Sequence, residues 1–96
     1  MRQILIEKYI EPSEIQFVNG YFIERWFDKY GDKQSFMGQP SSIWYLEGEL
    51  DTKYWHKKGI QHRDKAMPAH IGYNNNIESI QSWYKNGNLI KQKRLT

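Results

Sequence analysis

The most polar stretch of the chain, His62-Arg63-Asp64-Lys65, contains the residue types from which an acid–base site is built. His62 beside Asp64 fits a general base, because proton transfer by a positioned imidazole is the commonest form of this catalysis. Neither residue recurs at the equivalent place elsewhere in the chain, and no serine or cysteine nucleophile motif accompanies them. The simpler interpretation is a polar loop whose His62 and Arg63 bond to neighbouring turns, so we expect a protein that is not an enzyme. If the aromatic patch described below is core, the binding surface would instead include His62, Arg63 and Lys65.

Metal and cofactor chemistry finds little support in the sequence. A zinc site built on His56 and His62 would lack its third and fourth ligands. The chain has no cysteine, which excludes a disulfide framework, thiol catalysis and a cysteine-based zinc site. It also has no glycine-rich phosphate loop and no recognisable pair of glycosidase carboxylates. We therefore expect neither a metal nor a cofactor.

Three lysines, Lys29, Lys57 and Lys85, recur at a constant spacing of 28 residues. If they occupy equivalent turns, they form a row along one side of a sheet that could meet phosphates. The alternative is that each lysine fills a turn position that favours a polar side chain. The net charge of +3 is only mildly basic, and acidic residues are mixed among the basic ones. Nucleotide or nucleic-acid binding is therefore kept as the second functional hypothesis.

The lysines belong to a repeat that runs through the whole chain, and a repeat of this length indicates stacked supersecondary units. The prolines Pro12, Pro40 and Pro68 mark its period. Five further groups of similar residues recur at the same spacing of 28: Ile15, Ile43 and Ile71; Phe17, Tyr45 and Tyr73; Gly20, Gly48 and Asn76; Phe27, Trp55 and Trp83; and Gly31, Gly59 and Gly87. We interpret residues 1–96 as a single repeat domain. It has an N-terminal strand over residues 1–11 and three units over about 12–39, 40–67 and 68–96.

Each unit contains two turn signals of the form x-x-Gly, with asparagine replacing glycine once. They predict turns near residues 19, 30, 47, 58, 75 and 86, with the glycines at positive φ. We expect three-residue loops, in which a type I turn is followed by a left-handed residue. About eight residues separate the turns, a normal strand length. The predicted fold is an all-β antiparallel meander of six to eight strands, built from three 28-residue β-hairpin repeats.

A three-residue turn at Leu46-Glu47-Gly48 pairs Tyr45 with Glu49 and places the odd-numbered side chains on one face. That face carries the repeated apolar columns and is predicted to be the core, with Trp55 and Trp83 inside it. The opposite face is predicted to carry an aromatic patch of Phe22, Trp26, Trp44, Leu50 and Tyr54. Either the N-terminal segment covers this patch through Ile4, Ile6 and Tyr9, or the patch is an interface for a partner or a second copy. A two-residue turn would exchange part of this assignment.

Four segments carry a resemblance to known repeats: Trp55-His-Lys-Lys-Gly59, His62-Arg63, Pro68-Ala69 and Trp83-Tyr-Lys-Asn-Gly87. The chain resembles the Trp-Tyr-Lys-Asn-Gly, His-Arg and Pro-Ala repeats of proteins from large DNA viruses and bacteriophages, which are akin to MORN repeats. This resemblance implies a β-hairpin interaction module with no catalytic residue, from a phage- or virus-type protein.

The N-terminal apolar run is too short for a signal peptide and no window approaches a membrane span, so we expect a cytoplasmic protein without membrane contact. The predicted function is non-enzymatic binding by a viral or phage accessory protein. Its partner would be a host protein, such as a defence factor, that it inhibits. A homodimer and a nucleotide or nucleic-acid ligand are the other partners that the sequence leaves open.

Overall fold

The computed structural model describes residues 10–95, which form strands and turns and contain no helix. Seven strands make one antiparallel sheet in the order β1-β2-β3-β4-β7-β8-β9, and β5 pairs with β6 in a separate hairpin. The all-β antiparallel prediction is therefore confirmed. The predicted N-terminal strand rests mainly on residues 1–9, outside the described residues. The strands are β1 (Glu14–Val18), β2 (Tyr21–Arg25), β3 (Ser42–Leu46), β4 (Glu49–Tyr54), β5 (His56–Lys57), β6 (Ile60–Gln61), β7 (His70–Asn74), β8 (Ile77–Lys85) and β9 (Asn88–Arg94).

The turns lie where the glycine spacing predicts them, but most are one residue shorter than expected. All five predicted glycines have positive φ, as does Asn76. In five of the six turns the preceding residue is left-handed too, as at Asn19 and Glu47, and the strands close on a two-residue loop. Two left-handed residues define a type I′ turn, whose twist matches that of the flanking strands. The expected three-residue form occurs only at residues 29–31.

The shorter turns change which side chains share a face, and this corrects the predicted aromatic patch. Tyr45 pairs with Leu50 on one side and with Phe22 on the other. Phe22 and Leu50 therefore lie on the face of Tyr45, whereas Trp44 and Tyr54 lie on the opposite face. The patch prediction is wrong because side chains alternate along a strand, and the two-residue turns place Phe22 and Leu50 on the face of Tyr45. An extra residue in β4 after Leu50 keeps Tyr54 on the face of Trp44.

The first unit differs from the other two in two ways that offset each other: it lacks a bulge and it has a longer second turn. Strand β4 accommodates one extra residue between the partners of Trp44 and Tyr45, and β8 does the same opposite β7. Strand β2 has no such bulge, but the turn over residues 29–31 is one residue longer than its counterparts. The glycine spacing is therefore kept while the aromatic residue before the second turn shifts by one. Trp26, and not the predicted Phe27, corresponds to Trp55 and Trp83.

Three indole hydrogen bonds show this correspondence directly, and we call them the tryptophan clamps. Trp26 Nε1 donates to the carbonyl of Ile10 at 2.8 Å. Trp55 Nε1 donates to the carbonyl of Gly38 at 3.0 Å, and Trp83 Nε1 to that of Ala66 at 2.9 Å. Each acceptor lies two residues before one of the three prolines. Every clamp therefore ties the end of one β-hairpin to the segment that leads into its unit.

Beyond the clamps, the second hairpin of each unit contacts that of the next, and we call this arrangement the second-hairpin row. The Gly59 N–H donates to the Lys33 carbonyl at 2.9 Å, and the Gly87 N–H donates to the Gln61 carbonyl at 3.0 Å. In the first two units this hairpin leaves the main sheet, whereas in the third it continues within it as β8 and β9. The buried apolar side chains of the described residues are Ile23, Trp26, Ile43, Trp55, Ala69 and Ile71. Trp83 is only half-buried, so the prediction that it belongs to the core holds less well than for Trp55.

Replacing Trp55 with phenylalanine should lower the free energy of unfolding by about 2–3 kcal/mol, because the clamp is lost and the smaller ring leaves a void. Trp44→Phe is the matched control. Its indole bonds the Ser42 hydroxyl within its own strand and its ring is half-buried, so the loss should be smaller. Urea denaturation of both variants measures the difference, and equal losses would contradict a clamp role.

Replacing Gly48 with alanine should destabilise the protein by roughly 1 kcal/mol, because a Cβ is disfavoured at a φ of 84°. A Cβ at this position would meet nothing within 4 Å, so the loss reports the backbone alone. Glu47→Asn in the same turn should have the opposite sign, since asparagine tolerates the left-handed conformation. Thermal and urea denaturation check both signs, and a neutral Gly48→Ala would argue against the type I′ turn.

Candidate functional site

Four of the predicted site residues, Lys57, His62, Arg63 and Lys65, line one cleft of about 390 Å³, which we call the basic cleft. Its walls come from the loop over residues 34–38, from the end of β4 and β5, and from the loop over residues 62–67. The second-hairpin row brings these segments together although they are far apart in the sequence. The sequence interpretation of a polar loop near neighbouring turns agrees with this placement.

The Arg63 guanidinium is fixed by the tryptophan of its own unit and by the first residue of the next. Its Cζ lies 3.9 Å from the centre of the Trp55 ring, and Nη1 donates to the carbonyl of Pro68 at 3.1 Å. In the third unit, Lys91 holds its ammonium 4.7 Å from the centre of the Trp83 ring. A cation over the clamp tryptophan is thus a recurring contact of the fold, worth about 0.5–2 kcal/mol. In the second unit this contact holds the positive charge of Arg63 at the wall of the cleft and restricts its movement.

His62 and Asp64 form the pair that the sequence suggested, with Nε2 of His62 2.8 Å from Oδ1 of Asp64. The hydrogen bond from His62, followed by the nearby Lys57 ammonium, lowers the pKa of the exposed Asp64 carboxyl. The described contacts of His62 include no serine or threonine hydroxyl, which nucleophilic catalysis by such a pair requires. The hydrogen bond between His62 and Asp64 can hold the loop over residues 62–67 in place. The pair has no hydroxyl nucleophile among these contacts.

His56 also lines the cleft but contributes no positive charge at neutral pH. Its Nδ1 lies 2.7 Å from the Ser41 hydroxyl. Burial, followed by the charge of Lys33, lowers the pKa of His56 to about 4. The His70 ring stacks on Tyr54 with their centres 5.1 Å apart, and burial lowers the pKa of His70 too. Among the described residues, no group of three or more His, Cys, Asp or Glu side chains is arranged to hold a metal ion.

The predicted aromatic patch separates into three places. Trp26 is fully buried beneath its clamp. Trp44 and Tyr54 belong to a row of half-buried rings across β2, β3, β4 and β7, which we call the aromatic ladder. Its successive ring centres are 5.5 Å apart for Tyr21 and Trp44, 6.5 Å for Trp44 and Tyr54, and 5.1 Å for Tyr54 and His70. These rings pack against one another, so the ladder stabilises the sheet more than it offers a free surface for binding.

Phe22 belongs instead to a surface that the sequence reasoning missed. It packs edge-on against Phe17 at 4.8 Å and against Tyr45 at 5.8 Å between ring centres. Phe17 is 76% exposed and Ile15, on the same face of β1, is 52% exposed. We call Ile15, Phe17, Phe22 and Tyr45 the aromatic edge, because β1 ends the described sheet. The Asn19-Gly20 dipeptide is typical of a two-residue turn, and that turn would have predicted that Phe17, Phe22 and Tyr45 share one face.

The three lysines of the predicted row are exposed and lie at the turns of the second-hairpin row. Only Lys57 lines the basic cleft. The Lys29 ammonium lies 5.2 Å from the centre of the neighbouring Tyr30 ring, and Lys85 ends β8 beside the last turn. The row is therefore compatible with the fold, and its three charges are not focused on one site.

No protein-family model, curated protein or solved structure matches this chain. Among residues 10–95, no helix has the length and apolar character needed to cross a membrane.

Stability should fall as the pH is lowered from 6.5 towards 4. His56 is neutral in the folded protein down to about pH 4 and titrates near 6.5 when unfolded. The unfolded chain therefore binds more protons within this window, so the stability present above pH 6.5 is lost as the pH falls through the folded pKa. Urea denaturation at pH 6.5, 5.5 and 5.0 measures the slope. His56→Gln should flatten it, with His70 supplying what remains, and an unchanged slope would contradict this assignment.

Proposed function

We propose that this protein is a non-enzymatic binding module that engages another protein through the aromatic edge. The supporting observation is Phe17, a large apolar side chain that is 76% exposed on an edge strand whose five residues are all exposed. Aromatic side chains grouped on an exposed surface are typical of interaction sites, where they supply much of the binding energy. Phe22, which itself packs against Tyr45, supports the Phe17 ring from one side and limits its freedom, which lowers the entropic cost of binding.

The two edges of the sheet differ in a way that favours this location. Strand β9 carries Lys91, Lys93 and Arg94, and charged side chains on an edge oppose pairing with another chain. Strand β1 carries one charged residue, Glu14, which is held by Arg25 at 2.9 Å. Among residues 10–95 no strand pairs with the outer side of β1, and this edge with the apolar Ile15 and Phe17 side chains suits an extended partner segment that adds a strand to the sheet.

The resemblance to repeats of large DNA viruses and bacteriophages supports a narrower form of this proposal. In it, the chain is a phage- or virus-type accessory protein that acts in the host cytoplasm. The partner is then a host protein, such as a defence factor. It is inhibited when its own sheet edge or extended segment is bound by the aromatic edge.

Phe17→Ser tests the proposal, because it removes the exposed ring without disturbing a buried contact. Immobilised wild-type and variant proteins would be incubated with the same cell lysate, and retained proteins quantified by mass spectrometry. A true partner should be retained roughly tenfold less by Phe17→Ser, as expected for loss of an anchor residue. Titration of that partner, once purified, should give the same ratio.

Leu89→Ser is the matched control. Leu89 is 52% exposed on β9, the opposite edge, so the substitution removes similar apolar area outside the proposed surface. A partner lost equally from both variants, or from neither, would overturn the proposal. Concentration-dependent dimerisation that Phe17→Ser abolishes would instead identify a second copy of the chain as the occupant.

A further inference from the structure

The basic cleft groups three cationic side chains around one concave surface. Lys57, Arg63 and Lys65 line it, and the one acidic residue among its lining residues is Asp64, with an oxygen held by His62. Since His56 is neutral at pH 7, it does not add to this charge. The cleft therefore has a surplus of cations grouped around a concave surface, where their field is focused.

The repeat itself shows which of these residues the architecture requires. The clamp and the cation over its tryptophan recur in the third unit, so Trp55 and Arg63 have structural counterparts there. His62 and Lys65 have different counterparts in the first unit, where Gln34 and Met37 stand at the equivalent positions. Gln34 accepts a hydrogen bond from the Lys58 N–H at 2.8 Å, a structural role that needs no positive charge. In the first unit the scaffold thus forms with an uncharged residue at either position, whereas in the third unit Lys93 stands at the position of Lys65.

Apolar groups lie beside the cations in the same cleft. Met37 is 74% exposed and Met67 is 42% exposed, and both line the cleft with the Trp55 ring between the charged groups. Methionine side chains adapt to a flat ring and contact it favourably through sulfur. A volume of about 390 Å³ lies within the range of small-molecule sites and is far too small for a folded partner.

We infer that the basic cleft binds a mononucleotide, with its phosphates against Lys57 and Lys65 and its base against the two methionines. Phosphate groups match the cations, and a planar base matches the apolar rim, so both parts of the cleft are used. The positive charge of Arg63 is held in place over Trp55 and raises the potential at the phosphate position without ordering a flexible side chain. A nucleic-acid strand fits less well, because Lys29 and Lys85 do not line the cleft.

Calorimetric titration with ATP tests this inference, with adenosine and inorganic tripolyphosphate as partial ligands. ATP should bind more tightly than either partial ligand, because only ATP uses both the cations and the methionine rim. Lys57→Gln and Lys65→Gln should each weaken ATP binding roughly tenfold, the usual effect of losing one charge-assisted contact. Both lysines are exposed, so the variants are expected to fold, and circular dichroism checks that they do.

Lys85→Gln is the matched control, since it makes the same charge change at the position equivalent to Lys57 but outside the cleft. It should change ATP affinity less than about twofold, because Lys85 does not line the cleft and an exposed charge outside it is screened by salt. Absence of ATP binding at about 1 mM would overturn the inference, as would equal weakening by all three variants. Tighter binding of an oligothymidylate than of ATP would also overturn it, in favour of a nucleic-acid surface. Phe17→Ser should leave ATP affinity unchanged, so the outcome is independent of the proposed protein interface.

Discussion

The hydrogen bond from a tryptophan indole to a backbone carbonyl is the contact on which this architecture depends. The described part of the chain has one seven-stranded sheet and one two-stranded hairpin, so no second sheet packs over the larger one. Sheets usually gain their stability by burying one face against another layer. Here the clamps hold the connecting segments against the hairpins, and the largest buried side chains, Trp26 and Trp55, lie at these junctions. The apolar core is therefore distributed along the chain, at the junctions between the hairpins and the connecting segments.

The faces of the sheet are covered by their own side chains. On one face the aromatic ladder lies across four strands and shields small residues such as Ser42 and Ser82, which are 2% and 1% exposed. On the other face Lys53 extends over Tyr73, with its ammonium 5.2 Å from the ring centre. Aromatic rings cover much area per residue at low conformational cost, which explains an aromatic content of 16% in so short a chain. At β1, in the described part of the chain, the Phe17 ring is left 76% exposed.

The sequence predicted the architecture well because its period and its glycines are local signals. Turn positions and the all-β class follow from the spacing of residues that tolerate positive φ, and both agree with the structure. The face assignment failed because it depended on a single choice between two-residue and three-residue turns. Glu47 and Lys58 are unusual residues for a left-handed turn position, so their sequence does not reveal the shorter form. The basic cleft was foreseen as a polar loop around His62, but its opposite wall at residues 34–38 was not, because only tertiary packing brings the two segments together.

The second unit has a bulge in β4, whereas the first unit has the longer turn at residues 29–31 and the same total length. This compensation has a consequence for how such a chain can change length. The second-hairpin row aligns neighbouring units through Gly59 and Gly87, so a residue gained within a unit must be compensated before the hairpin tip is reached. Single insertions and deletions in the strands should therefore be tolerated only as complementary pairs inside one unit. Whole units, in contrast, begin and end at equivalent clamps, so gain or loss of one whole unit should keep the spacing of the clamps in the remaining units.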